Sequence, residues 1–189
     1  MTAFWLALFL VFVAEMGDKT QFMTLTFSTR YSTSTVIAAV VSATLLISLF
    51  SVLLGFLLGT ALPFFWINLL AGLTFIAFGL WAFRGEEAKV EKPKSVSKIG
   101  PFLAVSLAFF LAELGDRTML ATAMVAAREK SFIGTWLGSS IGLSCSNMLA
   151  IPIGRVMGRK LPSRSLRYIT AAIFVVSGLF ALAAAWKER

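Results

Sequence analysis

Four carboxylic acids, Glu15, Asp18, Glu113 and Asp116, stand inside long apolar stretches of this 189-residue chain. A charge at bilayer depth costs at least about 2.5–3.5 kcal/mol, so ionisable groups there are functional candidates by default. The four acids come in two copies of one pattern. Glu15-Met16-Gly17-Asp18-Lys19-Thr20 recurs as Glu113-Leu114-Gly115-Asp116-Arg117-Thr118, and an alanine precedes each copy. Acids three residues apart share one helix face, a turn apart. If the two helices that carry them meet, four carboxylates converge. Thr20, Gln21 and Thr118 add neutral oxygens near the same face. Gly17 and Gly115 permit either close helix contact or a local break that frees a carbonyl as a ligand.

Such a donor set suits hard divalent ions: Ca²⁺, Mn²⁺ and Mg²⁺. The chain has no histidine and one cysteine, Cys145. Thiolate and imidazole cages of the zinc type are thereby excluded within one chain, as is an intramolecular disulfide. Cys145 lies in an apolar stretch and reads as a small buried residue. Protons and a dication compete for the same carboxylate oxygens, which is the chemistry of an antiporter. Lys19 and Arg117 have two readings: internal counter-ions of the site, or cations that reach toward the interface. A structural reading of the acids, as buried ion pairs that lock helices together, stands beside the functional one.

The elements that must hold these residues follow from composition. The chain is 58% hydrophobic and 14% charged, against about 45–50% and about 25% for soluble domains. Bilayer is the solvent that fits. Six stretches are long enough for a span of roughly 20 apolar residues: about 3–27, 36–58, 62–83, 101–127, 132–154 and 166–186. They predict an all-α membrane protein of six continuous transmembrane helices. The first is not read as a cleaved signal, because it lacks a basic start and carries Glu15, Asp18 and Lys19. A charged segment with Pro93 separates two units. The predicted organisation is residues 1–84 as a first three-helix repeat, 85–100 as a linker and 101–189 as a second repeat.

The formal net charge is +8. Most bases fall in loops and read as topology signals rather than as a nucleic-acid footprint, so no nucleic-acid partner is expected. One side collects Arg30, Arg84, Lys89, Lys92, Lys94, Lys98, Arg155, Arg159, Lys160, Arg164 and Arg167. The other holds Arg128, Lys130, Lys187 and Arg189. The positive-inside rule puts the linker in the cytoplasm and both termini outside, in a multi-pass protein of the cell (inner) membrane.

The motifs are offset by 98 residues. Downstream the offset is 99: Gly55 and Gly59 match Gly154 and Gly158, Pro63 matches Pro162, Phe75 matches Phe174, and Gly79 matches Gly178. Three crossings per half invert the second half relative to the first. That gives a 3+3 inverted-topology repeat, in which transporters place substrate near the midplane. The matched glycines read as close-packing positions. Ser48 and Asn147 match at the same offset and are weaker candidates for the ion path, with Ser144 and Ser146 nearby.

The paired E-x-G-D-[K/R]-[T/S] motifs resemble the Gdt-type cation transporter family, grouped with the cation/Ca²⁺–proton antiporter superfamily. Its small bacterial members include manganese exporters of the Mne type. The resemblance covers nearly the whole chain. It implies that Glu15, Asp18, Glu113 and Asp116 line a cation site, and that Mn²⁺ leaves the cytoplasm in exchange for protons. No prosthetic group is implied. One departure stands out: the first motif continues into Gln21, the second into Met119 where glutamine is usual. The two halves of the site are then chemically unequal, and Met119 reads as packing, since a thioether is a weak, soft ligand.

The leading expectation is a secondary transporter of Mn²⁺, not an enzyme. A Ca²⁺/H⁺ exchanger of the same architecture and a passive divalent-cation channel are the alternatives. A more distant one is an intramembrane aspartyl protease with Asp18 and Asp116 as a dyad. Its usual glycine-x-glycine-aspartate signature is absent, because Glu15 and Glu113 replace the first glycine.

Overall fold

The computed structural model describes residues 2–16, 18–84, 100–157 and 163–187. These form eight α-helices and no strand. In chain order they are α1 (Thr2–Ala14), α2 (Lys19–Ser28), α3 (Thr33–Ala61), α4 (Phe64–Arg84), α5 (Pro101–Glu113), α6 (Arg117–Glu129), α7 (Phe132–Met157) and α8 (Ser163–Lys187). Gly17, Gly158 and all of the expected linker except Gly100 lie outside the described residues.

Eight helices stand where apolarity predicts six, because the first and fourth stretches each break at the repeated motif. Gly115 takes φ +78°, a left-handed conformation that glycine adopts without steric cost. Asp116 then turns extended (φ −71°, ψ 163°) and caps α6. Asp18 takes the same extended conformation at the N-cap position of α2 (φ −80°, ψ 168°), with no capping hydrogen bond from its side chain. Aspartate is among the strongest N-caps, so the chain is well suited to restart a helix there. Both breaks are one tight turn. The Asp18 amide donates to the Glu15 carbonyl at 3.2 Å, and the Asp116 amide donates to the Glu113 carbonyl at 3.1 Å. Of the two roles open to Gly115, the break is the one it performs. A Cβ at that position would meet nothing within 4 Å, so no helix is pressed against it.

At about 1.5 Å per residue, the 29-residue α3 is about 43 Å long. It is the one described helix long and apolar enough to cross a bilayer by itself. The helix α1, residues Phe64–Leu80 of α4, α5 and residues Ala171–Lys187 of α8 are shorter apolar helices.

The two halves interlock rather than sit side by side. α1 and α2 pack on α7 of the other half, α5 and α6 pack on α3, and α4 lies along α8. Between apolar helices in lipid, association rests on close packing, which small residues permit. The seam of α3 and α6 shows this. Gly55 sits against the Ala123 backbone, and a Cβ on Gly59 would come within 2.8 Å of the Ala127 carbonyl oxygen. Any larger residue at Gly55 would overlap the backbone of α6, so this glycine acts in packing, as its spacing predicts.

Three apolar clusters form among the described residues, the smallest from Val11, Ile47 and Leu143 of α1, α3 and α7. Ala7, Leu10, Phe75, Val125 and Phe174 join α1, α4, α6 and α8. Phe27, Val36, Val40, Val105 and Phe109 join α2, α3 and α5. The distribution of side chains is inverted relative to a soluble protein. Glu15 and Glu113 are among the most fully buried large residues, while Leu57, Phe180 and Trp186 are 67–75% exposed. Cys145, expected inside, is also exposed. It shares its face of α7 with exposed Ile141 and Leu149, one turn away on either side.

Candidate cation site

The site is assembled from the two helix breaks. Each break ends one helix on a glutamate and starts the next on an aspartate, so both acids of a motif fall at a turn instead of along one continuous face. Glu15 and Glu113 are completely buried, and Asp18 is nearly so. Asp116 is 12% exposed at its side chain. Glu15, Glu113 and Asp116 each bring an oxygen to within 4.8 Å of the others. Metal–oxygen bonds of about 2.0–2.6 Å let oxygens of one shell stand no more than about 4–5 Å apart. The three therefore meet the distance condition for one shared hard cation.

Asp18 is not among the three, and a base holds it. Its Oδ1 accepts from Arg117 Nη2 at 2.9 Å. The mirror contact is Lys19 Nζ donating to Asp116 Oδ1 at 3.0 Å. Each base thus pairs with the aspartate of the opposite half. Of the two readings open for these cations, the internal counter-ion describes them.

The hydroxyls Thr20 and Thr118 act symmetrically. Thr20 Oγ1 donates to Glu15 Oε2 at 2.9 Å, and Thr118 Oγ1 donates to Glu113 Oε2 at 3.2 Å. One oxygen of each glutamate is thereby oriented and the other is left open. Glu15 Oε1, Glu113 Oε1 and Asp18 Oδ2 are buried with no hydrogen-bond partner. An unpaired polar group in the interior is costly and calls for a reason. A carboxylate oxygen kept free for a ligand supplies one.

The supporting residues divide the site into unlike sides. Gln21 Nε2 donates at 2.8 Å to both the carbonyl and the hydroxyl of Ser146. Thr24 Oγ1 donates to Asn147 Oδ1 at 3.4 Å, and Asn147 Nδ2 donates to the Leu143 carbonyl at 3.0 Å. Polar bonds therefore tie α2 to α7. On the other side Met119 packs with Val11, Ile47 and Leu143, and the Gly115 amide donates to its sulfur at 3.3 Å. A cavity of about 10 Å³ opens there, lined by Glu113, Thr118, Met119 and Ser48 among others. Met119 is packing, as its chemistry predicts. Asn147 is engaged by its neighbours, and Ser48 borders the cavity beside Glu113.

A pairing missed by sequence reasoning explains the departure at Met119. Under the two offsets Gln21 corresponds to Met119, and Ser146 to Ile47. The same cross-half pairing is polar on one side of the site and apolar on the other. The signal lay in the sequence, but which residue faced which was hidden. Met119→Gln alone is expected to lower stability by about 1–3 kcal/mol, the cost of a buried amide without a partner. Met119→Gln with Ile47→Ser is expected to recover most of it. Thermal unfolding of the purified protein in detergent checks both. Thr24 and Asn68 are further buried polar residues that sequence reasoning passed over, and neither side-chain polar atom of Asn68 has a partner.

The profile of the family described as "Divalent cation/proton antiporter GDT1" matches residues 3–90 and 101–189. A Vibrio cholerae protein provisionally named a manganese exporter is 31% identical over 172 residues, covering 89% of this chain and 84% of its own. A GDT1-like protein of Synechocystis is 29% identical over 208 residues, covering all of this chain and 98% of its own. A chloroplastic PAM71 homologue of Arabidopsis thaliana is 30% identical over 93% of this chain, which spans 57% of that longer protein. No solved structure matches. The family is described as one of antiporters, which sets aside the protease reading. With both motif-bearing halves inside the matched residues, the chain belongs to the GDT1 family of divalent cation/proton antiporters.

Proposed function

We propose that this protein exports Mn²⁺ from the cytoplasm in exchange for protons, at a site formed by Glu15, Asp18, Glu113 and Asp116. Two observations carry the reading: carboxylate oxygens of Glu15, Glu113 and Asp116 lie within 4.8 Å of one another, and Glu15 and Glu113 each keep a buried oxygen with no hydrogen-bond partner. Oxygen-only ligation favours a hard dication. The manganese exporter name of the Vibrio relative favours Mn²⁺ over Ca²⁺. Protons and metal cannot hold the same oxygens together, so occupancy by one releases the other.

The proposed architecture is six crossings in two inverted halves of three. In it α1 with α2 makes one crossing and α5 with α6 another, each broken at the midplane. Broken helices are where secondary transporters place cargo, because the break frees backbone and aims side chains at a common point. The repeated breaks at matched positions in both halves support this plan. Both termini lie outside and the linker is cytoplasmic. Reporter fusions at the two termini are expected to read as non-cytoplasmic, and a cytoplasmic C-terminus would refute the orientation.

The deciding experiment uses proteoliposomes. An imposed proton gradient is expected to drive Mn²⁺ uphill, with Ca²⁺ competing more weakly and Mg²⁺ least. Downhill Mn²⁺ flux indifferent to the gradient would make the protein a channel. Stronger Ca²⁺ than Mn²⁺ accumulation would make it a Ca²⁺ exchanger.

A further inference from the structure

The site holds two fixed positive charges as well as four acids, and their placement is unusual. Each base forms an ion pair with the aspartate of the opposite half. Lys19 reaches Asp116 at 3.0 Å, and Arg117 reaches Asp18 at 2.9 Å. Each sits at the first position of its helix, α2 or α6. A cation is disfavoured at that end of a helix dipole, so helix stability does not explain either base. In each of these two ion pairs the acid is an aspartate. The glutamate oxygens Glu15 Oε1 and Glu113 Oε1 remain buried with no hydrogen bond.

The charges give this arrangement a meaning. Four ionised carboxylates and two fixed cations leave two negative charges uncompensated. Net charge in a low-dielectric interior is expensive, so the guest that fits is the one that cancels it. One dication does so. A monovalent ion leaves the site negative, and a trivalent ion leaves it positive. We infer that Lys19 and Arg117 are specificity-determining residues, tethered counter-ions that fix the charge of the cargo at two. The inference rests on the reading that the four acids hold the cargo, and extends it to residues that do not touch the ion.

The test compares a dication with a trication on the detergent-purified full chain. Free Mn²⁺ is followed by its electron paramagnetic resonance signal, with La³⁺ as competitor, and the ratio of La³⁺ to Mn²⁺ affinity is the readout. Lys19→Gln leaves three charges uncompensated and is expected to raise that ratio about tenfold or more, the scale of one unit charge acting over several ångströms. Asp116→Asn leaves one and is expected to lower the ratio by a similar factor, even as both affinities fall. Lys19→Gln combined with Asp116→Asn restores the balance and is expected to return the ratio to that of the unmodified protein. Lys19→Arg is expected to leave it unchanged. If the bases only fasten the halves together, Lys19→Gln lowers both affinities in parallel and leaves the ratio constant. A constant ratio in Lys19→Gln overturns the inference, as does a double variant that fails to return. Should Lys19→Gln not fold, the rise in ratio expected from Asp116→Asn to the double variant still decides it, and no rise overturns the inference. Absence of Mn²⁺ binding by the unmodified protein is a different result: it removes the reading of the site, and the inference with it.

Discussion

Glu113→Gln is expected to reduce Mn²⁺ transport at least about a hundredfold while the protein still reaches the membrane in normal amount. Glutamine keeps the shape of the side chain and an oxygen that can accept from Thr118, now 3.2 Å from Glu113 Oε2. What it removes is the charge at a buried oxygen that no group of the protein satisfies. Loss of one unit charge at ligand distance from a dication outweighs any packing change the substitution brings. Stability should move the opposite way. An unpaired buried carboxylate is a cost that only its ligand offsets, so the neutral variant is expected to unfold at the same temperature or higher when metal is absent. Glu15→Gln should behave alike, because Thr20 orients Glu15 as Thr118 orients Glu113. Transport in proteoliposomes together with thermal unfolding in detergent checks the pair of outcomes. Retained transport in both variants would end the cation-site reading. Lost transport with lost stability would point to a structural role for these acids.

Arg117→Met is expected to be the most destabilising single change in the site, by about 3–5 kcal/mol, the usual result of stripping a buried carboxylate of its partner. The Arg117 side chain is 18% exposed and that of its partner Asp18 only 5%. Lys19 is 37% exposed against 12% for Asp116. The more exposed pair is screened by its surroundings, so Lys19→Met should cost well under half as much. The physical cause can be isolated. Arg117→Met combined with Asp18→Asn removes the stranded charge as well as the base, and is expected to regain most of the lost stability even though transport stays low. Thermal midpoints and the yield of monodisperse protein report the series. Equal losses from Arg117→Met and Lys19→Met would show that burial of the pair is not what sets the energy.

These outcomes share a source. Both breaks bring an unusual amount of charge into the interior, and the protein handles it by exchange between halves. Arg117 serves Asp18 and Lys19 serves Asp116. The halves are therefore held by the same groups that surround the proposed cargo. Because α1 and α2 pack on α7, and α5 and α6 on α3, a shift of one half must pass through the site.

Much of this was legible in the linear chain. A repeated acid pair inside apolar sequence identifies the residues that matter, because burying four carboxylates by accident is energetically prohibitive. Absence of histidine restricts any metal to oxygen ligands, whatever the fold. The spacing of Gly55 and Gly59 announces a close seam, because only glycine lets backbones approach so near. Other features required the third dimension. Apolarity reports which residues avoid water but says little about whether a helix is continuous, so six stretches became eight helices when Gly115 and the two capping aspartates broke two of them. Helical periodicity places residues on a face of their own helix, and says nothing of the facing helix. The crossed ion pairs, the gathering of Glu15, Glu113 and Asp116 without Asp18, and the matched exchange of Gln21–Ser146 for Met119–Ile47 are contacts between segments far apart in the chain. Local sequence determines which groups are present and what chemistry they can do. Only the packing of one half into the other decides which oxygens are taken by a base and which are left open.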